Sequence, residues 1–131
     1  MKYRILELFQ KYDFYDFIVS KMNFDFTGKS LEIEFLICDD ILDKYVPLQL
    51  RFCGVNKFVS NNSDTLAFVV SGCYSAECKS TSKNRYEVFF VFMIRENGRD
   101  IPAWELTIGF SDLESIGGLS EEALAYKYEF A

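Results

Sequence analysis

Met22-Asn23-Phe24-Asp25-Phe26-Thr27-Gly28-Lys29-Ser30-Leu31-Glu32-Ile33-Glu34-Phe35-Leu36-Ile37 carries the pattern that decides the fold. Met22, Phe24 and Phe26 alternate with Lys21, Asn23 and Asp25. After Thr27-Gly28-Lys29-Ser30, Leu31, Ile33, Phe35 and Ile37 alternate with Glu32, Glu34 and Leu36. A period of two belongs to strands with one face buried. With those four residues as the loop, Phe26 faces Leu31, Phe24 faces Ile33 and Met22 faces Phe35. Both apolar sets then share one face, whereas a slip of one residue would mix them. The pattern predicts an antiparallel hairpin with Phe24, Ile33 and Phe35 in the core, and with Asp25, Glu32 and Glu34 on the opposite face.

The rest of the chain reads outward from this hairpin. Ile5, Leu8, Phe9 and Tyr12 fall at helical spacing, so Lys2 to about Tyr12 is expected as a short amphipathic helix. Strand-like alternation begins at Phe17. Asp39, Asp40 and Asp43 mark a polar break, and Pro47 stands near the start of the next strand, where a missing N–H is tolerated. Val46, Leu48, Leu50 and Phe52 alternate with Gln49 and Arg51, and Gly54 marks a bend before Val55–Val59. Asn61-Asn62-Ser63-Asp64 reads as a turn, Leu66–Cys73 as a strand and Ser75–Asn84 as a polar loop. Arg85–Arg95 is the most apolar strand, Asn97-Gly98 a turn, and Ala103–Phe110 its antiparallel partner. Gly117-Gly118 breaks the chain before a tail capped by Ser120, expected as a short helix fraying into an extended end. The fold expected for residues 1–131 is a single, mainly β (α+β) domain. Six to seven strands form a curved antiparallel sheet, folded as a sandwich or partial barrel, with a short N-terminal helix. An α+β roll with that helix over one face is the second choice.

Composition narrows the function. Half of the 131 residues are hydrophobic, with 14 Phe and 8 Tyr, which is ample material for one packed interior. Twenty acidic residues against 14 basic give a net charge of −6, which disfavours nucleic acid and favours a basic partner. No apolar run resembles a signal peptide or spans a membrane, so a cytoplasmic protein with four free cysteines (Cys38, Cys53, Cys73 and Cys78) is expected. The chain has no histidine, which removes histidine-based nucleophilic catalysis and the commonest zinc ligand. Nor does it carry a phosphate-binding loop or nucleotide fingerprint.

Four constellations remain. Asp39, Asp40 and Asp43 are oxygen donors suited to a hard cation, but they lack calcium-loop spacing and fit a solvated turn better. Cys73 and Cys78 have no second pair with which to build a zinc site. Lys79, Lys83 and Arg85 beside three hydroxyl residues suit an anion, or simply a solvated loop. The carboxylate row of Asp25, Glu32 and Glu34 suits glycosidase-type chemistry, water, or a basic partner.

Tyr15-Asp16-Phe17-Ile18 leads into a hairpin closed by a Gly-containing turn. Leu50-Arg51-Phe52-Cys53-Gly54-Val55 follows, and the strands end at Leu106-Thr107-Ile108-Gly109-Phe110. Over residues 12 to 110 this pattern resembles the small β-rich immunity proteins that accompany bacterial polymorphic and contact-dependent toxins. The resemblance implies a non-enzymatic inhibitor that blocks one cognate toxin by direct contact and needs no cofactor or metal. The expected partner is a basic toxin domain. The residues expected to meet it are Glu32, Glu34, Asp39, Asp40 and Asp43, gathered by position at one end of the sheet. The rival readings are a β-barrel holding a small apolar ligand and, below it, a carboxylate-based enzyme.

Overall fold

The computed structural model describes residues 4–61 and 69–129. Helix α1 (Arg4–Lys11) precedes β1 (Ile18–Asp25), β2 (Ser30–Asp39), β3 (Lys44–Cys53) and β4 (Lys57–Ser60). After these come β5 (Val69–Ser82), β6 (Arg85–Glu96), β7 (Arg99–Phe110), β8 (Asp112–Gly117) and α2 (Glu121–Glu129). The strands form two antiparallel four-stranded sheets, ordered β1-β2-β3-β8 and β4-β7-β6-β5. The described residues thus hold eight strands rather than six to seven.

The decisive hairpin forms, with its pairing shifted by two residues from the sequence reading. Phe24 faces Leu31, Met22 faces Ile33 and Asp25 faces Ser30. The Asp25 carboxylate accepts the Gly28 N–H at 3.0 Å and starts the loop one residue before Phe26, with Lys29 in the left-handed region at its end. A shift of two keeps every side chain on its expected face, so Ile33 and Phe35 are fully buried. Phe24, expected in the core, is only half-buried against it, and Phe26 changes fate altogether. It leaves the strand, is 78% exposed and lies 4.1 Å from the Phe24 ring.

One further expectation is corrected, and one strand is added. Ser75–Asn84 is no loop: β5 runs through it to Ser82, paired with β6, and the turn falls at Lys83-Asn84 with Asn84 in the left-handed region. Ala76 and Cys78 face inward, while bulges near Ser71, Tyr74 and Thr81 break the period. Residues 112–117, unread in the sequence, form β8 along β3. Residues 62–64 of the expected turn, 66–68 of the expected strand and Phe130 of the tail lie outside the described residues. Asn97-Gly98 turns with both residues at positive φ, as a tight hairpin requires. Pro47 is tolerated because its carbonyl side faces Gly118, whose N–H it accepts at 2.8 Å, just where β8 ends.

The chain changes sheet twice at one place. β3 passes into β4 through Gly54 (φ +62), and β7 passes into β8 through Ser111. Bonds from Ser111 N–H to Cys53 O (3.0 Å) and from Asn56 N–H to Gly109 O (2.9 Å) hold the two crossings together. The Ser111 side chain fills the space that a Cβ on Gly54 would take. Folding over at this corner brings Phe52 of one sheet against Phe110 (4.9 Å) and Phe90 (6.1 Å) of the other. Phe14 wedges between Phe35 (5.3 Å) and Phe90 (6.4 Å), and Ile5 and Phe9 of α1, with Tyr12 just past its end, are buried with them. On the opposite side the Asp16–Phe17 segment reaches Cys73 through two backbone bonds of 2.8 Å, and no ladder joins β1 to β5. The barrel is therefore not closed, and the space that an enclosed apolar ligand would take is filled by Phe35, Phe52, Phe90 and Phe92.

Phe35 lies at the meeting point of both sheets. Phe35→Ala is expected to lower unfolding free energy by about 3–5 kcal/mol in urea titrations. A loss below about 1 kcal/mol would mean that the sheets do not meet there.

Candidate functional site

The β2–β3 turn is held from inside. Asp39, only 5% exposed, accepts the N–H groups of Ile41 and Leu42 at 3.0 Å each. That Asx-type cap commits its carboxylate to the backbone and turns Ile41 and Leu42 outward, leaving Leu42 58% exposed. Asp43 completes the turn at φ +52, a conformation that aspartate adopts more readily than most residues. Asp39, one of the residues expected to meet a partner, thus spends its carboxylate on the backbone of the turn.

Helix α2 lies alongside this turn. Ser120 Oγ accepts the Ala123 N–H at 3.1 Å, and Ala123 and Leu124 are buried. Tyr12 Oη accepts the Leu119 N–H at 2.9 Å, so the segment leading into α2 is fixed to the core. Lys127 then reaches the turn, donating to Asp40 Oδ2 at 3.2 Å and to the Cys38 carbonyl at 3.1 Å. Asp40 also accepts the Cys38 thiol at 3.4 Å. The Lys127 hydrogen bond, ahead of that from Cys38, holds the Asp40 carboxyl below its ordinary value. Burial, and then the bond to Asp40, push the Cys38 thiol up. A carboxylate with a depressed folded-state pKa stabilises the fold above its unfolded pKa, and the effect is lost as pH falls through the folded value.

The contacts continue beyond the turn. Tyr128 donates to the Asp13 carbonyl at 3.3 Å, and partial burial is the largest cause of its rise to about 12. The Asp13 carboxylate accepts the Tyr15 N–H at 3.0 Å, and Tyr15 meets Tyr74 of β5 edge-on at 5.7 Å. Tyr45 stands opposite Cys38 across the β2–β3 ladder. One continuous path therefore runs from Tyr45 through Asp40, Lys127, Tyr128, Asp13 and Tyr15 to Tyr74. Five tyrosines near it (Tyr15, Tyr45, Tyr74, Tyr126 and Tyr128) are exposed, while Tyr12 is buried beneath them. The same chain segments carry Asp13, Asp16, Asp40, Asp43, Glu121 and Glu122 against Lys11, Lys44 and Lys127.

Glu32 and Glu34 do not belong to this group. They point away from the core as expected, but Glu32 lies seven residues before Asp39 on one strand, roughly 23 Å away. Glu32 is 3.8 Å from Arg51, which is also 3.9 Å from Glu114, and Glu34 accepts the Ser20 hydroxyl at 2.7 Å. The expected cluster of five carboxylates is therefore divided, because a strand ten residues long separates its members. Among the described residues, no three candidate ligands converge as a metal site. All four cysteines are free thiols. Cys73 and Cys78 lie five residues apart on one strand, roughly 16 Å, beyond disulfide reach. Arg85 of the candidate anion site donates instead to the Gly54 carbonyl at 3.1 Å.

Ile41 and Leu42 were not singled out in the sequence, although two adjacent aliphatic residues inside an acidic break were a readable signal. Tyr15 and Tyr74 carried no such signal. No family model and no curated protein matches the chain. No helix among the described residues is long and apolar enough to cross a membrane.

Two variants separate the aspartates. Asp39→Ala is expected to cost about 1–3 kcal/mol in urea unfolding, since two amides lose their acceptor. An unchanged midpoint would remove its capping role. Lys127→Met should return the Asp40 titration, followed by carboxyl NMR shifts, upward to the ordinary carboxylate range. A titration unmoved by the substitution would mean that Lys127 does not hold Asp40.

Proposed function

We propose that the protein is a non-enzymatic inhibitor: a sandwich of two sheets that neutralises a basic toxin domain through its acidic, tyrosine-rich end, as the immunity-protein pattern implies. The observation that carries this reading is the set of contacts by which Lys127 and Tyr128 of α2 hold Asp40 of the β2–β3 turn and Asp13 of the loop before β1, bringing exposed tyrosines and carboxylates from separate chain segments onto one surface. Tyrosine supplies large contact area with few rotors to immobilise, and it is enriched where interfaces are strongest. Carboxylates around such a patch accelerate encounter with a positive surface. Asp40, Asp43, Ile41, Leu42 and Tyr45 form its leading edge, and Glu32 and Glu34 extend the acidic surface along the sheet. The inhibitor would act in the cytoplasm, where its thiols stay reduced.

The gene next to this one supplies the test. Its product, expressed in a bacterial host, is expected to arrest growth, and co-expression of this protein to restore it. Purified together, the two should associate about tenfold more slowly after Asp40→Lys and Asp43→Lys at low salt, with a smaller difference at high salt. A neighbour that is harmless and does not bind would refute the inhibitor reading. Equal association rates for wild type and variant in both salts would move the interface elsewhere.

A further inference from the structure

Free amides and carbonyls along a sheet edge invite another strand, and β-rich proteins interrupt or shorten such edges. Three of the four edges formed by the described residues are treated in this way: β1 and β5 are broken by bulges, and β4 has only four residues. β8 differs, with six residues in unbroken register along β3. The phase of that ladder follows from the Gly118 N–H, which donates to the Pro47 carbonyl at 2.8 Å. Bonded pairs alternate in an antiparallel ladder, so Asp112, Glu114 and Ile116 turn their backbone groups to β3, while Leu113 and Ser115 turn theirs outward. The Leu113 N–H accordingly donates to the Asp112 carboxylate, at 2.9 Å.

This outward row opens on a groove. Helix α1 runs beside β8, and Tyr12, just past the helix, reaches the Leu119 N–H just past the strand. Between helix and strand lies a space of about 440 Å3, with Ile5, Leu8 and Leu113 as its apolar lining. Ser115 stands on the inner face of the sheet, opposite the buried Leu50, and yet it is exposed, so the sandwich is open here. Glu7, Glu114 and Lys11 also line the groove, and beyond Lys11 a second groove continues to Glu121 and Tyr128 of α2. Arg51 approaches Glu114 from the outer face, at 3.9 Å. Three acids against one lysine therefore line the way from the strand edge to the tyrosine-rich end.

We propose that β8 accepts an extended segment of the basic partner as a fifth strand of its sheet, laid in the groove beside α1. Main-chain bonds to Leu113 and Ser115 supply affinity that does not depend on the partner's sequence. The groove adds selectivity for apolar side chains, with a lysine or arginine near Glu7. This strand addition presupposes the inhibitor reading and extends its interface from α2 along β8.

Amide hydrogen exchange on the full chain, alone and with the purified product of the neighbouring gene, provides the test. In the free protein the Ser115 amide is expected to exchange at least about tenfold faster than those of Glu114 and Ile116, which β3 holds. In the complex it should slow by about a hundredfold. Ser115→Pro removes the outward donor without touching the β3 ladder and should weaken binding by about tenfold. Ser115→Trp, which fills the groove from an exposed position, should weaken it by about a hundredfold and keeps the test open if the proline variant misfolds. Far-UV circular dichroism should be unchanged for both. A Ser115 amide that is already slow in the free protein, or no slower in the complex, overturns the strand addition. So does full-strength binding by a folded Ser115→Trp variant, and in each of these cases the inhibitor reading stands. A neighbour that fails to bind the wild type overturns both.

Discussion

The corner at Gly54 and Ser111 is the constraint on which the remaining structure depends. A ladder of two antiparallel strands can pass from one sheet to another only if both members bend together. Here one strand bends at a glycine of positive φ, and the other places a serine side chain in the space that glycine leaves. The Ser111 hydroxyl also donates to the Cys53 carbonyl at 3.3 Å, and Arg85 fastens the Gly54 carbonyl from a third strand. Once the corner is set, the apolar faces must confront each other. Phe52, Phe90 and Phe110 become neighbours although they come from distant parts of the chain.

Cohesion and display are divided between the two ends of β3. Its C-terminal end runs into the corner. Its N-terminal end belongs to the β2–β3 turn, where backbone amides are capped by Asp39 and a helix is tethered through Lys127. Helix α2 can present tyrosines to solvent because Leu119, Ala123 and Leu124 anchor it on the other side. The Asp13 carbonyl links that helix to the loop before β1, so three separate segments share one surface. Surfaces held in place before contact lose less conformational freedom on binding, and more of the contact energy is realised as affinity.

What the sequence made legible follows from which forces are periodic. Alternation in residues 22–37 placed every side chain but Phe26 on its correct face, because a period of two is indifferent to a shift of two. The loop position was not legible, since it turned on whether Asp25 or a later residue would capture the Gly28 amide. β5 was hidden for a different reason. It is an edge strand whose inward residues are small (Ala76 and Cys78) and whose bulges reset the period, so it reads as a polar loop. β8 is a strand because β3 offers it a ladder rather than through any pattern of its own. For the candidate site, composition identified the acids and position located the turn. It could not assign Asp39 to the backbone or bring Tyr128 to Asp13 across 115 residues.

The interruptions of β5 have a consequence for the protein before it has found anything to bind. An edge strand of fourteen residues with regular spacing would offer a long row of free amides and carbonyls, the template on which β-rich chains polymerise. Bulges near Ser71, Tyr74 and Thr81 interrupt that row, the Asp16–Phe17 segment occupies it at Cys73, and the exposed lysine at 79 discourages a strand from approaching the rest. The irregularity of one strand thus works against edge-to-edge addition, a kind of shelf life written into β5.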